Sequence, residues 1–319
     1  MPSAAEIVYT LQGAADDLRE DGRARLDFRH LSLEVGLMPQ ASGSARLRAG
    51  GAEVIVGVVA VLGEPSSAAP ELGRITIAVS CGPGETAAQG LPEYTPTSGS
   101  RSIDDKRLWL EGALSQLYGQ KSAPAALRTL CIAPGLQCWE LRVHVQLIRT
   151  DGCPLDAAAL AVRAALHDTR VPKVSVRGES GGGGNAAAPS ERALAVALEL
   201  ELDETLDEAE PFAAQSLPLY VTLATLDGHL VADCTAKERS AAGSAVSVGL
   251  DAEGNVCSVC AGGGFGLHLS ALAAAMHAAR SLCLELHAAS HSAIDEAQAQ
   301  AAKRGGAATD DSIFGMLAS

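Results

Sequence analysis

Aromatic side chains are scarce in this chain, with 4 Phe, 4 Tyr and 2 Trp among 319 residues. A core of the size that length allows must come from Ala, Leu and Val, which favours close helix-on-sheet packing over aromatic binding surfaces. Long apolar runs are missing too. No stretch reaches the roughly 18 residues of a membrane-spanning helix. The opening segment, Met1 to Glu20, has early acids and no apolar run of a signal peptide, so the expectation is a soluble intracellular chain. Eight cysteines are too dilute for a disulfide scaffold and read as reduced thiols.

Positive charge is also in short supply: 24 Lys+Arg face 38 Asp+Glu, for a net charge of -14. The shortfall is uneven. Residues 1–150 carry 14 basic against 16 acidic side chains, whereas residues 151–319 carry 10 against 22. Affinity for nucleic acid comes largely from cations that displace counterions from phosphates, so this chain should bind RNA or DNA poorly by itself.

What is present is a regular alternation of strand and helix patterns. Leu31–Leu37 alternates as a half-buried strand, Glu53–Leu62 is a continuous β-branched run suited to a central strand, and Gly73–Cys81 alternates again. The Gly-, Pro- and Ser-rich stretch Gly82–Gly99 reads as a loop. Leu110, Ala113, Leu114 and Leu117 fall at helical spacing within Ile103–Tyr118, Leu141–Ile148 returns to period two, and a helix starts at Pro154 with Leu155, Ala158, Ala159, Val162 and Leu166 on one face.

In the second half Asp227-Gly228 separates two apolar runs and predicts a hairpin. A further strand pair meets across Asp251–Gly254, and a final helix covers Leu269–Ala289. Each half thus orders strands before a helix, which predicts an internally duplicated α+β architecture. The expected organisation is a polar lead (1–28), a first domain (29–177), a Gly-rich linker or insertion (178–190), a second domain (191–290) and a flexible tail (291–319).

Chemistry-bearing patterns are few. Cys257 and Cys260 have CxxC spacing, but they lie on a strand without a second pair, with His268 the only nearby candidate ligand, so no metal is expected. Gly262–Gly266 joins a strand to a helix where backbone amides can hold a phosphate, yet it lacks the Lys-Ser/Thr of a Walker loop and reads as a plain connection. No HExxH occurs, and His277 and His287 fall beside the last helix's apolar stripe, flanking the core. No cofactor is expected.

Several ordered segments nevertheless have a specific likeness. Glu20–Gly36 (EDGRARLDFRHLSLEVG), Ala41–Pro65, Thr129–Leu141 (TLCIAPGLQCWEL), Thr150–Leu166, His167–Pro172 and Val231–Glu238 (VADCTAKE) resemble the RNase PH family, over about Glu6 to Ala289. The Cys131–Trp139 stretch and Leu155-Asp156-Ala157 after Asp151-Gly152 resemble its exosome ring subunits in particular. The resemblance implies an RNase PH-like fold of two strand-layer-plus-helix halves, the first like domain 2 of ribosomal protein S5.

Active members of the family use inorganic phosphate to shorten RNA from its 3′ end, with an arginine holding the phosphate and an aspartate of the second domain assisting nucleotide departure. On the matching positions this chain has Leu155 for the arginine and, ten residues after Asp233, Gly243 for the acid; Ala241–Ser247 contains no acid at all. Removing both charges takes away several kcal/mol of transition-state stabilisation. The resemblance therefore implies a non-catalytic subunit of an exosome ring, supporting rRNA maturation and mRNA turnover in nucleolus, nucleus and cytoplasm. Its implied partners are other RNase PH-like subunits, cap proteins with OB-type RNA-binding domains, a hydrolytic nuclease, and RNA threading the shared channel. The alternative is an active phosphate-dependent exoribonuclease, alone or through a composite site with a neighbour. Arg101 resembles one of the family's RNA-contacting arginines and Lys106 and Arg107 follow one turn on; an ordinary exposed loop and helix start explains the three equally well.

Overall fold

The computed structural model describes residues 3–82, 103–177, 199–202, 209–263 and 268–308. Its first sheet has the order β1-β2-β3-β6-β4, formed by Leu31–Val35 (β1), Gly43–Ala49 (β2), Ala52–Gly63 (β3), Arg74–Cys81 (β4) and Gln137–Arg149 (β6), with Cys131–Ala133 (β5) paired to β6. All neighbours are antiparallel except β4 and β6. The Glu53–Leu62 run is central as expected, since β3 hydrogen-bonds on both sides. Helices α2 (Ile103–Leu117) and α3 (Pro124–Arg128) precede β5, and α4 (Pro154–Asp168) follows β6.

The second sheet is wholly antiparallel, in the order β12-β11-β13-β14, from Leu219–Leu226 (β11), His229–Ala232 (β12), Ser244–Leu250 (β13) and Val256–Gly263 (β14). Short pairs join Arg170–Val171 (β7) to Glu210–Pro211 (β10), and Val174–Arg177 (β8) to Glu199–Leu202 (β9). The hairpin forms at Asp227-Gly228, whose positive φ angles of 46° and 83° match the twist of the flanking strands.

Helix α4 packs on β2 and β3 of one sheet and on β11 of the other. Its residues from Ala158 to Leu166 are all buried, so it is covered nearly all round, and its alanines let both sheets approach. One continuous core runs from Val56 and Val145 through Leu160 and Val162 to Leu219 and Val248.

Two expectations at the chain's ends are corrected. The polar lead contains α1 (Ala4–Ala15), opened by a capping box in which Ser3 and Glu6 bond each other's backbone amides, and it packs on the second half, against α5 (Ala236–Ala241) and β12. The tail expected to be flexible from 291 instead continues the final helix, α6 (Leu269–Ala308), with Ile294 and Ala297 buried. These two extend the apolar stripe that passes through Cys283 and Leu286, so packing holds the helix past Ala289. The expected loop at Gly82–Gly99, apart from Gly82, and the linker at 178–190 lie outside the described residues.

Candidate functional site

The segments that carry the resemblance meet between the two halves. Arg29, just before β1, donates from Nε and Nη2 to the two carboxylate oxygens of Asp233, both at 2.8 Å, and from Nη1 to Asp151 at 2.6 Å. Its Nη2 also reaches the Cys234 carbonyl at 2.9 Å. Burial pulls the Arg29 guanidinium down, but hydrogen bonding to Asp233 and the charges of Asp233 and Asp151 outweigh it and hold the cation well above its usual range.

Around this clamp the pairing continues. Arg19 grips Glu238 with two bonds of 2.8 and 2.5 Å and donates to the carbonyls of Ala232 and Asp233. Arg23 reaches Asp233 at 3.2 Å. Glu238 also closes the capping box of α5 with Thr235, and Asp151 accepts from the Ala236 amide at 2.7 Å. Arg19, Arg23 and Arg29 thus meet Asp151, Asp233 and Glu238.

The backbone is fitted as tightly as the charges. Asp233 sits at φ 43°, and Gly152 at φ 72° lies so close to the second half that a Cβ there would stand 1.7 Å from the Cys234 carbonyl oxygen.

Leu155 opens α4 one turn away, 1% exposed and packed in the main core. Gly243 lies just before β13, where its amide donates to the Thr225 carbonyl at 3.2 Å. Neither position presents a charge. Asp156, on the first turn of α4, reaches the second sheet. Its carboxylate accepts from the Thr222 amide at 2.8 Å and the Thr222 hydroxyl at 2.5 Å, and that hydroxyl lies 2.7 Å from Ser247 Oγ. Burial pushes its carboxyl up to about 7, against the opposing Thr222 bonds. It ties α4 to β11 and β13.

Arg163, in the middle of α4, is 2% exposed. It donates from Nη1 to His287 Nδ1 at 2.5 Å and to Ser290 Oγ at 3.2 Å, and from Nη2 to the Gln215 carbonyl at 3.3 Å. An arginine only donates, so His287 Nδ1 is the acceptor and its Nε2 carries the proton toward the Leu250 carbonyl. Burial, then the Arg163 charge, brings His287 down to about 4. The expectation that His287 flanks the core holds, whereas His277 is exposed.

Of the RNA-contact candidates, Arg101 lies outside the described residues. Lys106 and Arg107 are on the first turns of α2, and Arg107 is engaged by Asp104 at 3.7 Å, Glu111 at 3.4 Å and the Val79 carbonyl at 3.2 Å. Cys257 faces the Ser122 carbonyl and Cys260 the Tyr220 hydroxyl, and no cluster of three metal-ligating side chains occurs among the described residues. Of the Gly-rich strand-to-helix segment, Gly264–Gly266 falls outside the description.

The arrangement is a charge-balanced joint with saturated cations. Nothing in the sequence marked Arg29 or Arg19 as its centre, because their partners lie more than 100 residues away.

Comparison with known proteins gives one consistent pattern. Residues 27–172 match domain 1 of the 3′ exoribonuclease family (RNase PH), and residues 216–281 match its domain 2. The chain is similar to the exosome complex component Rrp42 of Methanothermobacter thermautotrophicus, 30% identical over 77% of this chain and 79% of that protein. It is also similar to a putative exosome complex exonuclease RRP42 of Dictyostelium discoideum, 23% identical over 83% and 89%. Among solved structures, a chain of an archaeal exosome core shares the fold at a TM-score of 0.64 and 23% identity, with 90% of this chain and 96% of that one covered.

Proposed function

From the premise that this chain belongs to the RNase PH family of 3′ exoribonucleases, we propose that it is a non-catalytic ring subunit of an exosome. It stands beside other RNase PH-like subunits and helps to enclose the channel through which RNA 3′ ends pass. Relatives named as Rrp42 exosome components, matched over about four-fifths of their length, support the ring assignment. The observation that carries the non-catalytic part is Leu155, an enclosed core side chain at the position where the resemblance calls for a phosphate-holding cation.

Arg29 and Arg19 of the joint do not substitute for it. A phosphate nucleophile must approach an already anionic RNA backbone, which needs positive groups with donors to spare. Arg29 spends its donors on Asp233, Asp151 and the Cys234 carbonyl, and Arg19 on Glu238 and three carbonyls. Ala241–Ser247 offers no acid for the departing nucleotide. OB-type cap proteins and a separate hydrolytic nuclease complete the proposed assembly, which works in nucleus, nucleolus and cytoplasm. With a net charge of -14, the chain guides RNA only in a channel lined by its neighbours as well.

The test has two arms. Affinity purification of the tagged chain from its own cells at low salt is expected to bring down ring and cap subunits in near-equal amounts; recovery alone or as a self-assembled ring overturns the assignment. The purified chain, given phosphate and a 3′-extended RNA, is expected to release no nucleoside diphosphates, and release by the chain alone overturns the non-catalytic reading. Release by the assembled ring that disappears when this chain is omitted assigns a composite site.

A further inference from the structure

Cys131 and Cys138 face each other across the β5–β6 hairpin. They are direct partners in the antiparallel ladder. The Trp139 amide donates to the Leu130 carbonyl at 2.8 Å, so the hydrogen bonds bracket the cysteine pair instead of joining it. Pairs of this kind are the closer of the two antiparallel types, with Cα atoms about 4.5 Å apart and side chains on the same face. A disulfide needs Cα atoms roughly 4.4–6.8 Å apart. Both cysteines are free thiols.

Their access to solution differs. Cys138 is 0% exposed, whereas Cys131 is partly exposed, its thiol 3.9 Å from the Pro70 carbonyl at the surface. One sulfur is therefore reachable and the other waits behind it. Cys153 and Cys234 also share a buried cluster, but at 5% and 0% exposure neither meets a solution oxidant in the folded chain.

We propose that Cys131 and Cys138 form a dithiol modification site that accepts oxidising equivalents from small-molecule disulfides and closes into an intrachain disulfide. In the first step the Cys131 thiolate attacks oxidised glutathione, forming a mixed disulfide and releasing one glutathione thiolate. In the second the Cys138 thiolate attacks the Cys131 sulfur and expels the other glutathione. Two protein thiols lose two protons and two electrons, and one glutathione disulfide becomes two glutathione thiols.

The bond fastens the hairpin that leads into Trp139, a residue 6% exposed in the main core. Burial raises both thiols above their usual range, aided by Glu71 at Cys131 and only partly offset by Arg74 at Cys138, so few thiolates exist at neutral pH. Closure is accordingly slow there and speeds up roughly tenfold per pH unit until the attacking thiol is ionised.

The experiment uses the full chain, folded, equilibrated with oxidised glutathione at mildly alkaline pH, then alkylated with iodoacetamide and digested with trypsin. Thr129–Arg142 is a single tryptic peptide containing both cysteines. The expected result is that this peptide loses the mass of two hydrogens and takes up no iodoacetamide. In Cys138→Ser the expected product is a lasting glutathione adduct on Cys131. A wild-type peptide that takes up two iodoacetamide groups overturns the proposal, and so does a wild-type glutathione adduct on Cys131 that Cys138 never displaces. Circular dichroism before alkylation confirms that the chain is folded during exposure.

Discussion

Replacing Asp156 with Asn should make the protein relatively more stable as pH rises. Burial pushes the carboxyl of the folded chain up to about 7, from an ordinary value of 3.8. At about 1.36 kcal/mol per unit this sets a ceiling near 4 kcal/mol. Asp156 is partly buried, and screening lowers the expected effect to on the order of 2–4 kcal/mol. The sign follows from the raised value: the folded state keeps a proton that the unfolded state has lost. The associated stability is complete below about pH 4 and is lost as pH climbs through 7. Asn has no proton to lose. Its carbonyl can accept from the Thr222 amide, and its NH₂ can donate to the Thr222 hydroxyl, which stays free to bond Ser247.

The wild-type curve alone does not isolate this. His287, brought down to about 4, contributes stability above its unfolded value of 6.5 that is lost as pH falls toward 4, an opposite slope of about 3 kcal/mol over nearly the same window. The readout is therefore the difference between D156N and wild type in urea-denaturation midpoints, measured from pH 4 to 8. That difference should be flat near pH 4, rise in favour of the variant between about pH 4 and 7, and level off above. A flat difference throughout means that the carboxyl titrates normally, and a falling one means that the site prefers the ion; either refutes the reasoning.

Three further outcomes are expected. Arg29→Met leaves the carboxylates of Asp233 and Asp151 short of their main partner, both with side chains no more than 20% exposed, and should cost about 3–5 kcal/mol by chemical denaturation, partly recovered by adding Asp233→Asn. Gly152→Ala should exceed the usual range of single-substitution effects, more than about 4 kcal/mol, because its Cβ would meet the Cys234 carbonyl oxygen at 1.7 Å, whereas Gly228→Ala, with nothing within 4 Å, should cost only the positive φ, about 1 kcal/mol. Comparable thermal shifts for the two glycines would contradict this. Leu155→Arg should lose several kcal/mol by burying an unpaired cation and still release no nucleoside diphosphates from RNA and phosphate, so a gain of phosphorolysis would show that a single position had silenced the site.

The strands were legible because their burial alternates with the residue pattern: in β6, Leu141, Val143, Val145 and Leu147 face the core, and Arg142 and His144 face out. The hairpin at Asp227-Gly228 and the start of α4 at Pro154 were legible for the same local reason, a backbone geometry that few residue types serve. Helices α1 and α5 were not read, although each has a capping box in plain sequence, Ser3 with Glu6 and Thr235 with Glu238. At six residues α5 is too short for a periodic signal, whereas α1 carries one, Ile7, Leu11 and Ala14 at helical spacing, in a segment read as a polar lead. The extension of α6 was hidden by small side chains: beside Ile294, the buried positions past Ala289 are held by Ser290 and Ala297. The parallel placement of β4 beside β6, and the joint of Arg29 with Asp151 and Asp233, depend on contacts between distant segments that one sequence does not state.

The joint also explains how a chain proposed to be non-catalytic can keep so many of the family's segments. Asp151, Gly152 and Asp233 belong to segments that resemble the catalytic loops, but here each has a structural duty that accounts for it. Asp151 bridges Arg29 and the Ala236 amide, Gly152 makes room for the Cys234 carbonyl, and Asp233 takes a bidentate grip from Arg29 at a left-handed turn. Leu155 and Gly243, where the expected charges are missing, take no part in that joint. Holding the two halves together and handling phosphate are thus separable tasks in this fold. The second cannot be recovered from the first, since freeing Arg29 or Arg19 for phosphate would leave Asp233 or Glu238 as a buried carboxylate without its main cation.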